Sequence, residues 1–123
     1  MSVKVAKVLC RKDGRTLIGR CGVMETPAQR MKGLLGHSSL PEDEGLWFPH
    51  ETSVHTFFMR FPIDVAFLDR RGRVIALYHS LRPWRHTWIH PFALGGGTLE
   101  GCAGLFERAG LKKGEELEIC HSS

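Results

Sequence analysis

Residues 55–69 constrain the fold more than any other part of the chain, because two charged side chains lie within its most apolar stretch. From Ile63 to Leu68 every residue except Asp64 is apolar. Alternate residues of a strand share a face, so odd-numbered positions should lie on one side and even-numbered positions on the other. Asp64 then has apolar neighbours on its own face, where a lone carboxylate is energetically expensive. The stretch predicts a central β-strand with a partner for Asp64.

Two interpretations of Asp64 follow from its setting. In the structural one, Asp64 pairs with Arg60 across the bend at Pro62, or its carboxylate accepts hydrogen bonds from backbone N–H groups. In the functional one, Arg60 lines a pocket and binds an anionic group, while Asp64 holds the guanidinium in place. We favour the structural interpretation, because buried charges are usually paired.

Composition and charge favour a compact domain that requires no polyanionic partner. With 123 residues, 42% of them hydrophobic, residues 1–123 suit a single domain with one core. The formal charge of +4 comes from scattered basic residues, and no apolar run is long enough to span a membrane. The N-terminus alternates apolar and polar residues, so we expect a cytoplasmic protein without a membrane partner. Reduced thiols are then expected at Cys10, Cys21, Cys102 and Cys120.

Turn residues every eight to twelve positions predict a mainly β fold (α+β). We expect a compact antiparallel β-sandwich or distorted barrel with one or two short helices. The chain should open with a hairpin, and a second hairpin should begin at residue 63. The predicted strands cover residues 3–9, 16–24, 46–48, 54–59, 63–68, 73–78, 98–100 and 115–120.

Two short helices are predicted at 26–35 and 103–109. In the first, Thr26 can cap the helix and Gln29 can complete a capping box, and Gly36 should end it. The side chains expected to face the core from this helix are Met31, Leu34 and Leu35.

The segment from residue 81 to 97 combines prolines, glycines, aromatic residues and cations and lacks strand periodicity. It predicts a long irregular loop. Its Arg82–Trp88 part could stack single-stranded nucleic acid, but we favour Trp84 and Trp88 as covers for the open end of the fold. His86 and His90 lie between prolines, where a helical metal pair is not expected, so we predict no metal site and no other cofactor.

Several ordered blocks of the sequence resemble the family known as domain of unknown function 192. The resemblance extends from about residue 16 to 120. It implies a small, mainly β domain of sandwich type with no assigned activity. Many relatives have Lys-Asn where this chain has Arg60 and Phe61. The matching blocks are Thr26-Pro27, Arg30, Gly33-Leu34-Leu35, Leu40-Pro41, Glu44-Gly45-Leu46, residues 55–69, Gly72-Arg73-Val74, Leu99-Glu100, Ala103-Gly104, Gly110-Leu111 and Gly114.

These features favour a non-enzymatic binding or accessory domain for a small molecule or a protein partner, which we expect to be monomeric. An alternative is a hydrolase-like or metal-assisted enzyme using Asp64, Arg60 and a histidine such as His55. A pocket that holds Asp64 and His55 within hydrogen-bond reach would favour the enzyme. A weaker alternative is binding of single-stranded nucleic acid, which we regard as less favoured. The residues predicted to bind a ligand are Trp47, His55, Phe58, Met59, Arg60, Asp64, Arg82 and Trp84; no catalytic residue is assigned.

Overall fold

Seven strands form one curled sheet in the computed structural model, which describes residues 3–121. The sheet has the strand order β5-β4-β6-β3-β2-β1-β7. The strands are β1 (Lys4–Cys10), β2 (Thr16–Val23), β3 (Glu44–Pro49), β4 (Ile63–Leu68), β5 (Val74–Leu81), β6 (Gly97–Cys102) and β7 (Leu117–His121), and the helices are α1 (Pro27–Lys32), α2 (Leu105–Arg108) and a 3₁₀ helix at Pro91–Gly95.

The curled sheet confirms the mainly β fold class and corresponds to the distorted barrel among the predicted alternatives. The two edge strands approach each other where Arg73 forms a bridge with Glu116. At this contact Leu117 N–H donates to the Gly72 carbonyl oxygen over 2.8 Å. A Cβ atom at Gly72, whose φ is +80°, would lie 2.2 Å from the Leu117 carbonyl oxygen. Glycine therefore permits the close approach that curls the sheet.

One pair of strands departs from the predicted antiparallel arrangement. β2 and β3 are parallel, with Cys21 opposite Gly45. Parallel neighbours need a crossover connection, and here the chain between them contains α1. The predicted capping box of α1 is present: Gln29 N–H donates to Thr26 Oγ1 over 3.1 Å, and Thr26 N–H donates to Gln29 Oε1 over 3.0 Å.

β4 is buried at all six positions, as its sequence predicts. Its two faces pack into separate clusters, so the predicted alternation is confirmed. The inner cluster fills the curl of the sheet and includes Ala66, Leu68, Leu99 and Phe106. The outer cluster, on the other face, is covered by the turn that follows α1 and by loops, and includes Leu34, Met59, Ile63, Val65 and Phe67.

The predicted strand at 54–59 is wrong. Only His55 forms a β-bridge, to His86, and Met59 N–H closes a turn on the Thr56 carbonyl oxygen over 3.1 Å. Phe58 has φ +67°, which extended strand backbone excludes. Met59 is buried in the outer cluster and Val54 packs against it, whereas Phe57 and Phe58 are exposed, so the segment is a loop that covers the outer face of the sheet.

The first helix is shorter than predicted. α1 ends at Lys32, with Gly33 at φ +44°, and does not continue to Leu35. The 3.6-residue period therefore stops before Leu34, which packs in the outer cluster from the turn that follows. Met31, predicted to face the core, is 80% exposed.

Candidate ligand-binding site

Asp64 is held by backbone N–H groups, one of the two structural arrangements anticipated for it. Its Oδ1 accepts hydrogen bonds from Ser80 N at 2.8 Å and Gly104 N at 3.1 Å, and its Oδ2 accepts one from Phe106 N at 3.0 Å. Arg60 is exposed and forms no ion pair with Asp64 in the described part of the chain. The carboxylate therefore joins the end of β5 to the start of α2, and it does so on the inner side of the sheet.

The eight residues predicted to bind a ligand do not meet at one rim. Trp47 is buried in the inner cluster, because strand alternation directs it away from the face that Phe48 takes. Arg60 and Arg82 are exposed. Only two of the eight predicted residues, His55 and Met59, line the cavity described below.

Phe58 and Trp84 form an exposed aromatic cluster with Phe57. The ring centroids of Phe58 and Trp84 are 4.6 Å apart, and those of Phe57 and Trp84 are 6.1 Å apart. Phe57 also stacks on His55 at 5.0 Å. The cluster thus adjoins the cavity through His55 and Phe57, which both line it.

Two loop segments, 52–59 and 82–90, are joined by hydrogen bonds outside the sheet. Thr56 N–H donates to the Arg85 carbonyl oxygen over 2.8 Å, and Thr87 N–H donates to the Val54 carbonyl oxygen over 2.9 Å. The second segment is anchored by His90, whose Nε2 lies 2.7 Å from the Tyr78 hydroxyl. Burial, and secondarily the charge of Lys113, lowers the pKa of His90, which favours the neutral ring at this contact. The paired segments form a fixed wall beside the outer face.

A cavity of about 390 Å³ lies between this wall, α1 and the outer face of the sheet. Pockets of this size, with apolar walls and a few polar groups, are typical of small-molecule sites. The polar groups at its surface are Arg30, Lys32, Glu51, Ser53, His55 and Glu100. Its apolar walls are Leu34, Leu35, Phe48, Val54, Phe57 and Met59.

Glu100 lies at the base of this cavity, in the middle of β6. Its neighbours across the sheet are Leu46 on β3 and Val65 on β4. The residue is 6% exposed, and no donor within residues 3–121 makes a hydrogen bond to its carboxyl group. Burial, and secondarily the charge of Glu51, raises the pKa of Glu100 to about 8. The carboxyl group is therefore mostly protonated at neutral pH.

Arg30 and Glu51 form an ion pair at the side of the cavity. Arg30 Nη2 lies 3.1 Å from Glu51 Oε1. The same guanidinium donates to the Pro49 carbonyl oxygen, over 2.8 Å from Nη1 and 2.6 Å from Nη2. These contacts attach α1 to the end of β3. They also give the Arg30 guanidinium an acidic partner within the protein.

The sequence pattern alone predicts no role for Glu100. It places the residue at the end of a short strand, whereas β6 continues to Cys102 and Glu100 lies within it. The signal was present, because Glu100 is the only charged residue between Gly97 and Cys102. A charge inside an otherwise uncharged strand has the same pattern as Asp64, and only the fold distinguishes the carboxylate with donors from the carboxyl without them.

The arrangement that would favour an enzyme built on Asp64 and His55 is not assembled. Asp64 is bound by backbone groups on the inner side of the sheet, whereas His55 lines the cavity on the outer side. Within residues 3–121 no three side chains of metal-binding type come together. The four cysteines are free thiols, and Cys10 and Cys21 are buried.

The chain belongs to the DUF192 family, described as an uncharacterized ACR, whose model matches residues 8–119. The resemblance seen in the sequence is thereby confirmed. The chain is also 30% identical over 115 residues to a UPF0127 protein from Thermococcus sibiricus (strain DSM 12597 / MM 739), covering 88% of this chain and 71% of that protein. The family is one of unknown function.

Solved structures share the fold at low sequence identity. A Sinorhizobium meliloti 1021 protein, provisionally named a transcription regulator, has a TM-score of 0.76 at 21% identity and covers 96% of this chain and 94% of its own. A protein of unknown function from Novosphingobium aromaticivorans DSM 12444 has a TM-score of 0.74 at 22% identity, covering 94% of this chain and 84% of its own. None of the helices within residues 3–121 is long and apolar enough to cross a membrane.

Proposed function

We propose that the protein is a small-molecule-binding domain, whose site is the cavity above Glu100 on the outer face of the sheet. The single observation that supports this most strongly is Glu100, a residue only 6% exposed, whose carboxyl group makes no hydrogen bond to residues 3–121 and faces a cavity with apolar walls. Within residues 3–121 no fully buried side-chain polar atom lacks a partner, so the Glu100 carboxyl oxygens keep access to the cavity, where a ligand can supply the hydrogen bond. A cytoplasmic site of action is favoured by the four free thiols.

The preformed walls support binding without a large rearrangement. The loop wall is fixed by its paired segments, and α1 is fixed by Arg30 and by its capping box. A ligand entering such a site gains contact with apolar side chains without first ordering them, which favours affinity. Neither Asp64 nor Arg60 is required in this proposal, in contrast to the site expected from the sequence.

Filling the cavity should abolish binding of a neutral apolar probe. We expect 3-phenylpropanol to bind the native protein in the millimolar range and Val54→Phe to bind it at least tenfold more weakly, because the larger ring occupies the cavity. Binding is measured by titration calorimetry or by NMR line shifts. Val3→Phe is the matched control, since Val3 is exposed and lies outside the cavity lining. Equal affinity in the native protein and Val54→Phe, with Val54→Phe folded by circular dichroism, would exclude this cavity as the site.

A second candidate function is binding of single-stranded nucleic acid by the Arg82–Trp88 loop. The specific observation behind it is exposure: Trp84 is 55% exposed and Trp88 is 80% exposed, and Arg82 and Arg85 are exposed beside them. Trp84 packs on Phe58 and is partly covered by this contact, whereas Trp88 is largely exposed to solvent. Exposed rings flanked by arginines are what a flexible strand requires for stacking and phosphate contact.

Fluorescence anisotropy with a labelled oligo-dT strand tests this second candidate. We expect binding to weaken between 50 and 200 mM salt, because phosphate contacts release counterions. Trp88→Ala should weaken it by roughly tenfold, the order expected for one lost stacking interaction. Phe92→Ala is the matched control, since Phe92 is equally exposed but follows Pro91 outside the arginine-bearing part of the loop. Salt-independent binding, or no effect of Trp88→Ala, would remove nucleic acid from consideration.

A further inference from the structure

We propose that the ligand of this cavity carries a protonated amine on an apolar body, and that the amine binds Glu100 as a carboxylate. This inference rests on the ligand-binding function proposed above and specifies the chemical class of the ligand. It depends on three features of the site: the missing partner of Glu100, the charges that face it, and the apolar walls around it.

Glu100 lacks the hydrogen-bond donors that Asp64, the other buried acidic residue among residues 3–121, has. Asp64 is fully buried and accepts three backbone N–H bonds. Glu100 accepts none within residues 3–121, and its cross-strand neighbours Leu46 and Val65 are apolar. Removing a carboxyl group from water without a hydrogen bond is unfavourable. A donor delivered from the cavity can reach it, because Glu100 lines the cavity.

The charges that face Glu100 favour a cationic donor. α1 contributes Arg30 and Lys32, and the 52–59 segment with the residue before it contributes His55 and Glu51. The guanidinium of Arg30 is already occupied by Glu51 and a backbone carbonyl, and Lys32 is exposed. The charge of Glu51 contributes secondarily to raising the pKa of Glu100, but Glu51 is itself paired with Arg30, so within residues 3–121 Glu100 is the acidic group of the cavity lining that no cation engages. An unengaged carboxylate attracts an ammonium group and repels a second carboxylate.

The apolar walls specify the rest of the ligand. Leu34, Leu35 and Val54 offer aliphatic contact, and the rings of Phe48 and Phe57 also line the space. An aromatic face lowers the energy of a nearby cation, and it also packs against an alkyl or aryl body. An arylalkylamine therefore matches both parts of the cavity.

Binding of an amine has a protonation signature that binding of a neutral molecule lacks. With a pKa of about 8, Glu100 is mostly protonated at pH 7 in the free protein. An ammonium group stabilises the carboxylate, so roughly nine-tenths of a proton should leave on binding at pH 7. The proton moves from the Glu100 carboxyl group to the buffer, and the amine stays protonated.

Three probes of similar shape separate the possibilities by titration calorimetry at pH 7: 3-phenylpropylamine, 3-phenylpropanol and 3-phenylpropanoate. Each is titrated in two buffers of different ionisation enthalpy, which counts the protons released. We expect the amine to bind at least tenfold more tightly than the alcohol and to release close to one proton, whereas the alcohol should release none. Glu100→Gln should reduce the affinity for the amine to that for the alcohol. The matched control, Glu107→Gln, changes an exposed glutamate on α2 and should alter neither.

The outcomes distinguish this inference from the function on which it rests. Equal affinities for amine and alcohol, proton-free binding of the amine, or tighter binding of the propanoate would overturn the amine assignment and leave the binding site intact. Failure of all three probes to bind the native protein would overturn both. Unchanged amine affinity in Glu100→Gln would place the amine elsewhere.

Discussion

Replacing Asp64 by alanine is expected to lower the free energy of unfolding by about 3–5 kcal/mol, because three backbone N–H groups, one buried and two part-buried, lose their acceptor. For a chain of this size the corresponding fall in Tm is about 10–20 °C. The loss should be large because Asp64 joins the end of β5 to the start of α2 from the middle of a fully buried strand. Thermal and urea unfolding followed by circular dichroism measure it.

Asp64→Asn should lie between alanine and the native protein. Its amide oxygen can still accept the bonds from Ser80 and Gly104, but its NH₂ group faces the Phe106 N–H and cannot accept. Asp13→Ala is the control, since Asp13 is an exposed turn residue that accepts one backbone bond, and its loss should cost less than about 1 kcal/mol. If Asp64→Ala lowered the free energy of unfolding no more than Asp13→Ala does, the hydrogen bonds accepted by Asp64 would have no structural importance.

Replacing Glu100 by glutamine is expected to stabilise the protein, with an effect that grows with pH. The pKa of Glu100 is raised from 4.5 to about 8 in the folded state, chiefly by burial. Between these values the folded state binds more protons than the unfolded state, so native stability falls as pH rises through this window. Glutamine stays neutral and avoids that loss. We expect a gain of about 3 kcal/mol at pH 7 and about 5 kcal/mol at pH 9.

Urea unfolding of the two proteins from pH 4.5 to pH 9 measures this difference. The native and Glu100→Gln proteins should be nearly equal in stability at pH 4.5, where the glutamate is largely protonated in the folded state and about half protonated in the unfolded chain. Glu107→Gln is the control for a glutamate on the surface and should follow the native protein throughout. A constant difference between native and Glu100→Gln across the pH range would show that Glu100 is not buried in a protonated form.

A stabilising substitution at a site is also informative about function. A protein retains an unfavourable group mainly where that group binds or reacts, since stability and function compete at such positions. Glu100 fits this expectation, whereas Asp64 does not, because its carboxylate is satisfied by the protein itself. Asp64 therefore has a structural role, and Glu100, on the neighbouring strand of the same sheet, is the residue for which we propose a binding role.

Local sequence patterns were sufficient to predict most of the fold. Alternation and turn residues predicted the first hairpin, the β4–β5 hairpin, the capping box of α1 and the two faces of β4. These features depend on interactions between residues close in sequence, which is why the sequence reveals them. The 54–59 segment shows the limit: Val54 and Met59 pack in the outer cluster from a loop, and an apolar pattern alone does not distinguish a strand from a covering loop.

The sequence by itself determined that Asp64 and its strand would be central and that a buried carboxylate there would need partners. Only the tertiary structure decided which groups those partners are, since Ser80, Gly104 and Phe106 lie 16 to 42 residues away along the chain. It also decided that Glu100, in a similar sequence setting, would meet a cavity. The physical reason is that a strand specifies which side chains share a face, whereas the curl of the sheet and its covering loops determine whether that face meets protein or empty space.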